Sequence, residues 1–272
     1  MRITAVILTK NEEKNIVRCL ESLDFCDEVI AVDDFSEDKT VEKIKNQRSK
    51  VKSNKTNIKI YQRELNGDFA GQRNFAMGKA SNEWVLFIDA DEEATYELQK
   101  EIKKYFIDND PATGGMTKID AFYLRRRDFF WGRELKWGET VKVRDKGLIR
   151  LVKKNSGKWE GNVHEEYKVK SQKSKVKSLN NYLNHYPHQS VREFLQEINF
   201  YSSVRAKELF EEGKRTNIFE IIFLPPGKFL LTYFIKLGFL DGPAGFSYAF
   251  MMSFHSFLVR SKLYLYNMKH EI

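Results

Sequence analysis

Residues 84–93 read WVLFIDADEE. Five apolar residues enter the stretch, and Asp89 and Asp91 leave it one residue apart. A continuous apolar run of this length reads as a strand buried on both faces, the kind found inside parallel sheets. A surface hairpin can end in two aspartates, and so can a site for a metal and a phosphate. What precedes the stretch separates the two.

Three more strands are expected upstream. RITAVILT (2–9) is apolar and β-branched, EVIAVDD (28–34) ends in two carboxylates, and NIKIYQR (57–63) follows. Helical segments lie between them. Asn11 offers a cap to a segment in which Ile16, Leu20 and Leu23 recur at helical spacing, and Ser36 and Asp38 offer caps to KTVEKIKNQ (39–47). FAGQRNFAMGKA (69–80) is a third helix. Strand and helix in alternation imply a parallel sheet with right-handed crossovers, whose ligands bind beyond the carboxyl ends of the strands. Thr9 to Glu12, Asp33 with Asp34, and Asp89 with Asp91 would all gather at that edge.

The later chain reads differently. AFYLRRRDFFWGRELKWGE (121–139) mixes aromatics with arginines and has no clean period. Residues 147–169 read as strands with turns at Asn155–Gly157 and Gly161, and residues 190–214 as a helix stopped by Gly213. The block 218–266 is the most apolar and is interrupted by Pro225-Pro226, Gly238, Gly242, Pro243 and Gly245, with Lys228, Lys236 and Asp241 interspersed. It contains no clean run of about 20 uncharged residues for a bilayer crossing. Helices lying on a bilayer and helices capping the protein's own core both fit, and the Phe/Tyr/Lys mixture favours the bilayer. The expected organisation is 1–110, 111–190 and 191–272. RSKVKSNKTN (48–57) reads as a solvated loop.

The 272-residue chain carries a formal charge of +8, which favours an anionic partner: nucleic acid, a phosphorylated substrate or a membrane surface. RRRDFFWGR (125–133) is the one stretch with the basic–aromatic pattern of nucleic-acid binding, and no nucleic-acid partner is expected. Cys19 and Cys26 are the only cysteines and lie too close to staple a large fold. The N-terminus reads as a first strand, not a signal peptide, so a cytoplasmic protein is expected.

The strand-end chemistry suits a nucleotide diphosphate. Two carboxylates at a strand end suit Mg²⁺ or Mn²⁺, which prefer oxygen donors and leave positions to substrate phosphates. Asp34 suits ribose hydroxyls or a base edge, and the Arg73 guanidinium suits phosphate charge. Trp131, Trp137 and Trp159 are candidates either for stacking on sugars or for plain core.

AVILTKNEEKNIVRCLESL (5–23), VDDFSEDKT (32–40), AGQRNFAM (70–77) and WVLFIDADE (84–92) resemble the nucleotide-binding half of the inverting GT-A glycosyltransferases of family 2. GNVHEEY (161–167), LNHYPHQS (183–190) and GFLDGPAGF (238–246) resemble the branch that adds glucose or another hexose to the lipopolysaccharide inner core (WaaE/LgtF type). The resemblance implies a GT-A, Rossmann-like α/β fold. Its mostly parallel sheet would be flanked by helices, with 1–110 as the nucleotide-sugar half, 111–190 as the acceptor and catalytic half, and 191–272 as a membrane-associated helical appendage. It implies a metal-dependent transferase that moves a hexose from a UDP-hexose to a glycolipid acceptor, peripheral on the cytoplasmic face of the inner membrane. Thr9, Glu12 and Asp34 would hold the nucleoside, Arg73 the diphosphate region, and Asp89 and Asp91 the ribose and metal. By the resemblance the catalytic base would be Glu165, favoured over Glu166 because it is the carboxylate directly after His in the family pattern and strand alternation turns only one of the two inward; the family more commonly has Glu-Asp there. A polyprenyl-phosphate sugar transferase is the rival within this class. A non-catalytic sugar-nucleotide module and a nucleic-acid binder are the rivals outside it.

Overall fold

The computed structural model describes residues 2–50, 56–109, 119–161, 165–171, 175–188 and 190–269. The chain forms two compact units: Met1–Arg126 with Asp145–His185, and Arg127–Arg144 with Tyr186–Ile272.

In the first unit the four expected strands are present: β1 (Ile3–Thr9), β2 (Glu28–Asp33), β3 (Asn57–Gln62) and β4 (Trp84–Asp89). They pair in parallel, with Thr9 opposite Asp33 and Leu8 opposite Asp89, so their carboxyl ends share one edge. The apolar runs are buried on both faces, as their composition requires. Trp84, Leu86 and Ile88 enter one core with Ile3, Ala5 and Ile7. That core is covered by α1 (Ile16–Glu21) and by α4 (Tyr96–Asp108) through Leu98, Ile102 and Phe106. Val85 and Phe87 enter the opposite core with Val6, Ile30 and Val32, under Ala70 and Ala76 of α3 (Phe69–Lys79). α2 (Thr40–Lys50) follows β2 and runs into the stretch expected as a loop, of which residues 51–55 lie outside the described ones.

Parallel pairing stops at β4. β8 (Leu148–Lys153) joins it antiparallel and β6 (Ile119–Phe130) joins β8 antiparallel. β11 (Lys175–His185) and β5 (Glu92–Ala94) extend the sheet, giving the order β3-β2-β1-β4-β8-β6-β11-β5. The sheet is therefore mixed, with a parallel front and an antiparallel back. A small ribbon, β9 (Gly157–Glu160) with β10 (Glu166–Val169), stands apart from it.

Two local expectations change. Asn11 does not cap α1; Asn15 precedes that helix, and Asn11 sits at φ +56° with its Oδ1 accepting the Glu37 N–H at 2.8 Å. Asn tolerates the left-handed region because its short polar side chain bonds locally. The stretch without a clean period is the long strand β6. Its charges hid the alternation, because Arg126 and Arg127 serve ion pairs rather than a solvated face.

The second unit is helical apart from a hairpin between the end of β6 and β7 (Arg133–Leu135). Trp131 and Gly132 form its two-residue turn, both at positive φ, which suits the twist of a hairpin. α6 (Val191–Glu211) ends as expected: Gly213, at φ +74°, donates to Phe210 O, and Lys214 N to Leu209 O. α5 (Val141–Asp145) is short. α7 (Ile218–Leu230) continues through a π turn at 231–235, and α8 (Gly242–Lys269) closes the chain. Residues 218–235 form a helix long and apolar enough to cross a membrane by length and composition, although Glu220 and Lys228 interrupt its apolar run.

Candidate active site

Asp89 sits where β4 ends, and its carboxylate lies between two guanidinium groups. Arg73 Nη2 donates to Oδ1 at 2.8 Å and Arg150 Nη2 to Oδ2 at 2.6 Å. Arg73 faces inward because Ala70, Arg73 and Ala76 share one side of α3, a helix capped by Asp68 accepting from Gly71 N. Arg73 is only 3% exposed and lies over the Trp159 ring at 4.8 Å. Its Nε donates to Glu165 Oε1 at 2.8 Å. One buried arginine thus ties the D-x-D edge to the proposed base.

Behind Asp89 lies a buried carboxylate that the motif reading passed over. Glu92 Oε2 accepts the Asp89 N–H at 2.9 Å, while its Oε1 lies 3.4 Å from Arg126 Nη1 and 3.7 Å from Arg150 Nη2. Burial alone would raise the Asp89 carboxyl, but the charges of Arg150 and Arg73 outweigh it and hold Asp89 far below the usual carboxylate range. Burial would likewise make Arg150 easier to deprotonate; Asp89, Glu92 and Glu165 reverse this and keep it cationic.

Asp91 points to a different partner. Its Oδ2 lies 3.1 Å from His185 Nε2, at the end of β11. Burial pushes Asp91 up, and His185 more than compensates, leaving the carboxyl lowered. Both Asp89 oxygens are engaged by arginines, so Asp91 is the carboxylate better placed for a cation, with His185 bonded behind it. No cluster of three or more Asp, Glu, His or Cys suited to a metal occurs among the described residues. So sparse a set fits a cation that takes one or two protein donors and fills the rest with phosphate oxygens and water.

The nucleoside candidates gather at the same edge. Thr9 ends β1, and the chain after it runs into a loop where Glu12 Oε2 accepts from Asn15 and the Glu12 N–H donates to Thr40 Oγ1 at 2.7 Å. Asp34 accepts Leu65 N–H at 3.0 Å and pairs with exposed Lys10 at 2.8 Å. Its neighbour Asp33 is fully buried and holds Ser36 through backbone and hydroxyl, so the pair divides into a structural and a solvent-facing member. Asn74 locks the Trp159 backbone with two bonds, at 2.9 and 3.0 Å. Trp159 is core, packed on Phe87 at 4.9 Å, whereas Trp131 and Trp137 are exposed in the second unit. Glu166 is largely exposed and bonded to Lys168. His164 of the same motif lies outside the described residues. Cys19 Sγ lies 3.5 Å from the Asp89 carbonyl; burial and the carboxylates of Glu92, Asp91, Asp89 and Glu12 keep it a protonated thiol.

Arg150, Glu92, Arg126 and His185 escaped the strand-end reading. A usable signal for one was present: an arginine inside the apolar run GLIRLV (147–152) must find a buried carboxylate.

The sequence profile described as "Glycosyl transferase family 2" matches residues 4–155. An uncharacterized glycosyltransferase of Rickettsia typhi is 31% identical over 96% of this chain and 86% of its own length. A lipopolysaccharide core biosynthesis glycosyltransferase of Rhizobium meliloti, LpsC, is 28% identical over 96% of this chain and 92% of its own. Among solved structures, a mannosyltransferase of Pyrobaculum calidifontis, bound to GDP-Man and Mn²⁺, superposes with a TM-score of 0.58. It covers 98% of this chain and 87% of its own at 15% identity, a likeness of fold.

Proposed function

Because this chain belongs to glycosyl transferase family 2, we propose that it moves a hexose, glucose favoured, from a UDP-hexose or related nucleoside-diphosphate sugar to a lipopolysaccharide-core or similar glycolipid acceptor. The observation that carries this reading is the ladder Glu165–Arg73–Asp89–Arg150 beside Asp91 at the carboxyl edge of the parallel strands. The relationship to LpsC supports the acceptor class.

The roles divide along the chain, with residues 1–110 taking the nucleotide sugar, 111–190 the acceptor and the base, and 191–272 the membrane. Thr9, Glu12 and Asp34 contact the nucleoside. Thr9 Oγ1 is buried and reaches no acceptor among the described residues, as a hydroxyl reserved for a ligand would be. Asp89 sits on the ribose side, and Arg73 and Arg150 supply positive charge near the diphosphate. Arg73 Nη1 and Arg150 Nε and Nη1 are buried donors without an acceptor among the described residues. Asp91, with Asp89 beside it and His185 behind it, would hold Mg²⁺ or Mn²⁺, and the Mn²⁺ in the Pyrobaculum mannosyltransferase favours such a cation. A bound cation supplies charge to stabilise the leaving diphosphate.

Inversion by a single displacement needs one base opposite the leaving group. Glu165 takes the proton from the acceptor hydroxyl, and Arg73 fixes it at Oε1. Substrate orientation and base placement therefore depend on the same buried arginine.

Membrane attachment rests on the second unit. Phe219 is 68% exposed, Phe223 65% and Ile235 73%, with Ile222, Leu230 and Phe234 exposed on the same helical segment. Apolar surface of this extent marks an interaction face. We place the protein peripherally on the cytoplasmic face of the inner membrane. The deciding experiment is a screen of sugar nucleotides with Mn²⁺, following released nucleoside diphosphate. Turnover of a UDP-hexose with a core-oligosaccharide glycolipid supports the reading; turnover only with polyprenyl phosphate moves the acceptor to the rival class.

A further inference from the structure

α7 and α8 of the second unit enclose an open groove of about 640 Å³. Ile221, Pro225, Phe229, Phe246, Phe250 and Phe257 line it. The one polar side chain in its wall, Ser253, already donates to Pro225 O at 2.6 Å. The wall therefore offers an occupant no hydrogen-bonding side chain. A sugar or an extended peptide placed there would lose water from its polar groups without replacement, at a cost of a few kcal/mol per group. The occupant must be hydrocarbon.

We propose that this groove holds a single acyl or prenyl chain of a membrane lipid, drawn sideways out of the leaflet. The neighbouring surface indicates where the chain comes from. Ile222, Leu230, Phe246 and Phe250 form part of the groove and are themselves exposed, and Phe219 and Phe223 flank them on α7. The groove thus adjoins exposed apolar surface on both helices. Its volume lies in the range of pockets that enclose a small ligand. The proposal rests on the membrane-attached reading above but makes a separate claim: a saturable site, not only a sticky face.

The test uses the full chain and a series of alkyl phosphocholines from octyl to dodecyl, each below its micelle concentration, followed by titration calorimetry. One binding event per chain is expected. Affinity should rise about fourfold per added methylene, the equivalent of ~0.8 kcal/mol, until the groove is full. Phe250→Glu and Phe257→Glu change residues 55% and 40% exposed, so the helices should persist, checked by far-UV circular dichroism. Each should weaken alkyl binding tenfold or more. Phe219→Glu, outside the groove, should leave alkyl binding unchanged and weaken sedimentation with vesicles containing phosphatidylglycerol. Vesicle binding without saturable alkyl binding overturns the groove and leaves the membrane reading standing. Saturable alkyl binding without vesicle binding overturns the membrane reading and, with it, a chain drawn from the leaflet. A dimer that Phe250→Glu dissolves, with no alkyl binding, assigns the groove to a second copy of the chain and overturns the proposal.

Discussion

The parallel strands β1–β4 carry charge-bonded carboxylates at both ends, and the two ends treat them oppositely. At the amino end, Glu28 accepts Thr4 Oγ1 at 2.6 Å and Ser81 N–H at 2.8 Å on one oxygen, and Lys59 Nζ at 2.7 Å and Ser81 Oγ at 2.9 Å on the other. Asn82 completes the knot by donating to Thr4 Oγ1 at 3.0 Å. Every lone pair has a nearby donor, and the cluster is finished. At the carboxyl end, Asp89 is saturated by two arginines, but the arginines are not: three of their buried N–H groups reach no acceptor among the described residues. A closed polar cluster stabilises a fold, whereas an open one carries a desolvation cost that a ligand can relieve. The difference separates an edge whose polar groups are satisfied from one that leaves donors open, as the proposed site requires.

The sharpest break of this comparison is Asp91→Ala. Transfer should be abolished and metal dependence lost, while the thermal midpoint stays close to wild type, because the residue stands outside the strand core. Assays across Mn²⁺ concentrations decide it; a variant that turns over normally removes the metal from this edge. Next is Glu165→Gln, expected to lower kcat by roughly 10²-fold or more while preserving donor binding. Glu166→Gln, changing an exposed side chain bonded to Lys168, should be milder, and the reverse order would shift the base by one residue.

The amino edge should respond in stability instead. Burial would raise the Glu28 carboxyl, but hydrogen bonds from Lys59, Thr4 and Ser81 bring it down to about 2 from its ordinary 4.5. That difference corresponds to about 3 kcal/mol favouring the ionised, folded form. Glu28→Gln should therefore cost up to about 3 kcal/mol in a urea melt and leave kcat of the folded fraction unchanged. A loss of kcat at constant stability would erase the distinction between the edges. The same group sets an acid limit in the wild type. Its contribution is complete above pH 4.5 and is lost as pH falls towards about 2, so Glu28→Gln should flatten the stability profile over that window. The smallest effect belongs to Lys10→Ala. Its pair with Asp34 is exposed on the lysine side, and such pairs contribute about 0–1 kcal/mol. Melting should barely change, and a shift in KM for the nucleotide sugar would assign Asp34 to the ligand.

Local rules reached far into the front of this molecule. Alternate sides of WVLFI enter two separate cores, as a run apolar at every position demands. The parallel pairing then follows from the crossovers, and it brings Thr9 opposite Asp33 and Asp89 opposite Leu8, one residue away. Gly213 stopped its helix for a reason visible in one residue.

Other features could not be read locally. Whether Asp33 or Asp34 turns inward depends on Ser36, Lys10 and Leu65, which meet them only in the fold. Arg73 looks like any helix-surface arginine until Glu165, 92 residues later, closes on it. His185 reaches Asp91 because β11 pairs with β5 in antiparallel register, opposite Glu92.

The sequence by itself determined the four front strands, their parallel order of entry and the gathering of carboxylates at one edge. These depend on side-chain periodicity and on the handedness of short crossovers, which are properties of neighbouring residues. Only the tertiary structure decided which charges are neutralised and which buried donors stay open. A charge's partner is set by distance in space, and segments from far along the chain, the antiparallel strands β8 and β11 and the residue before β10, supply Arg150, His185 and Glu165 to an edge built from the first ninety or so residues.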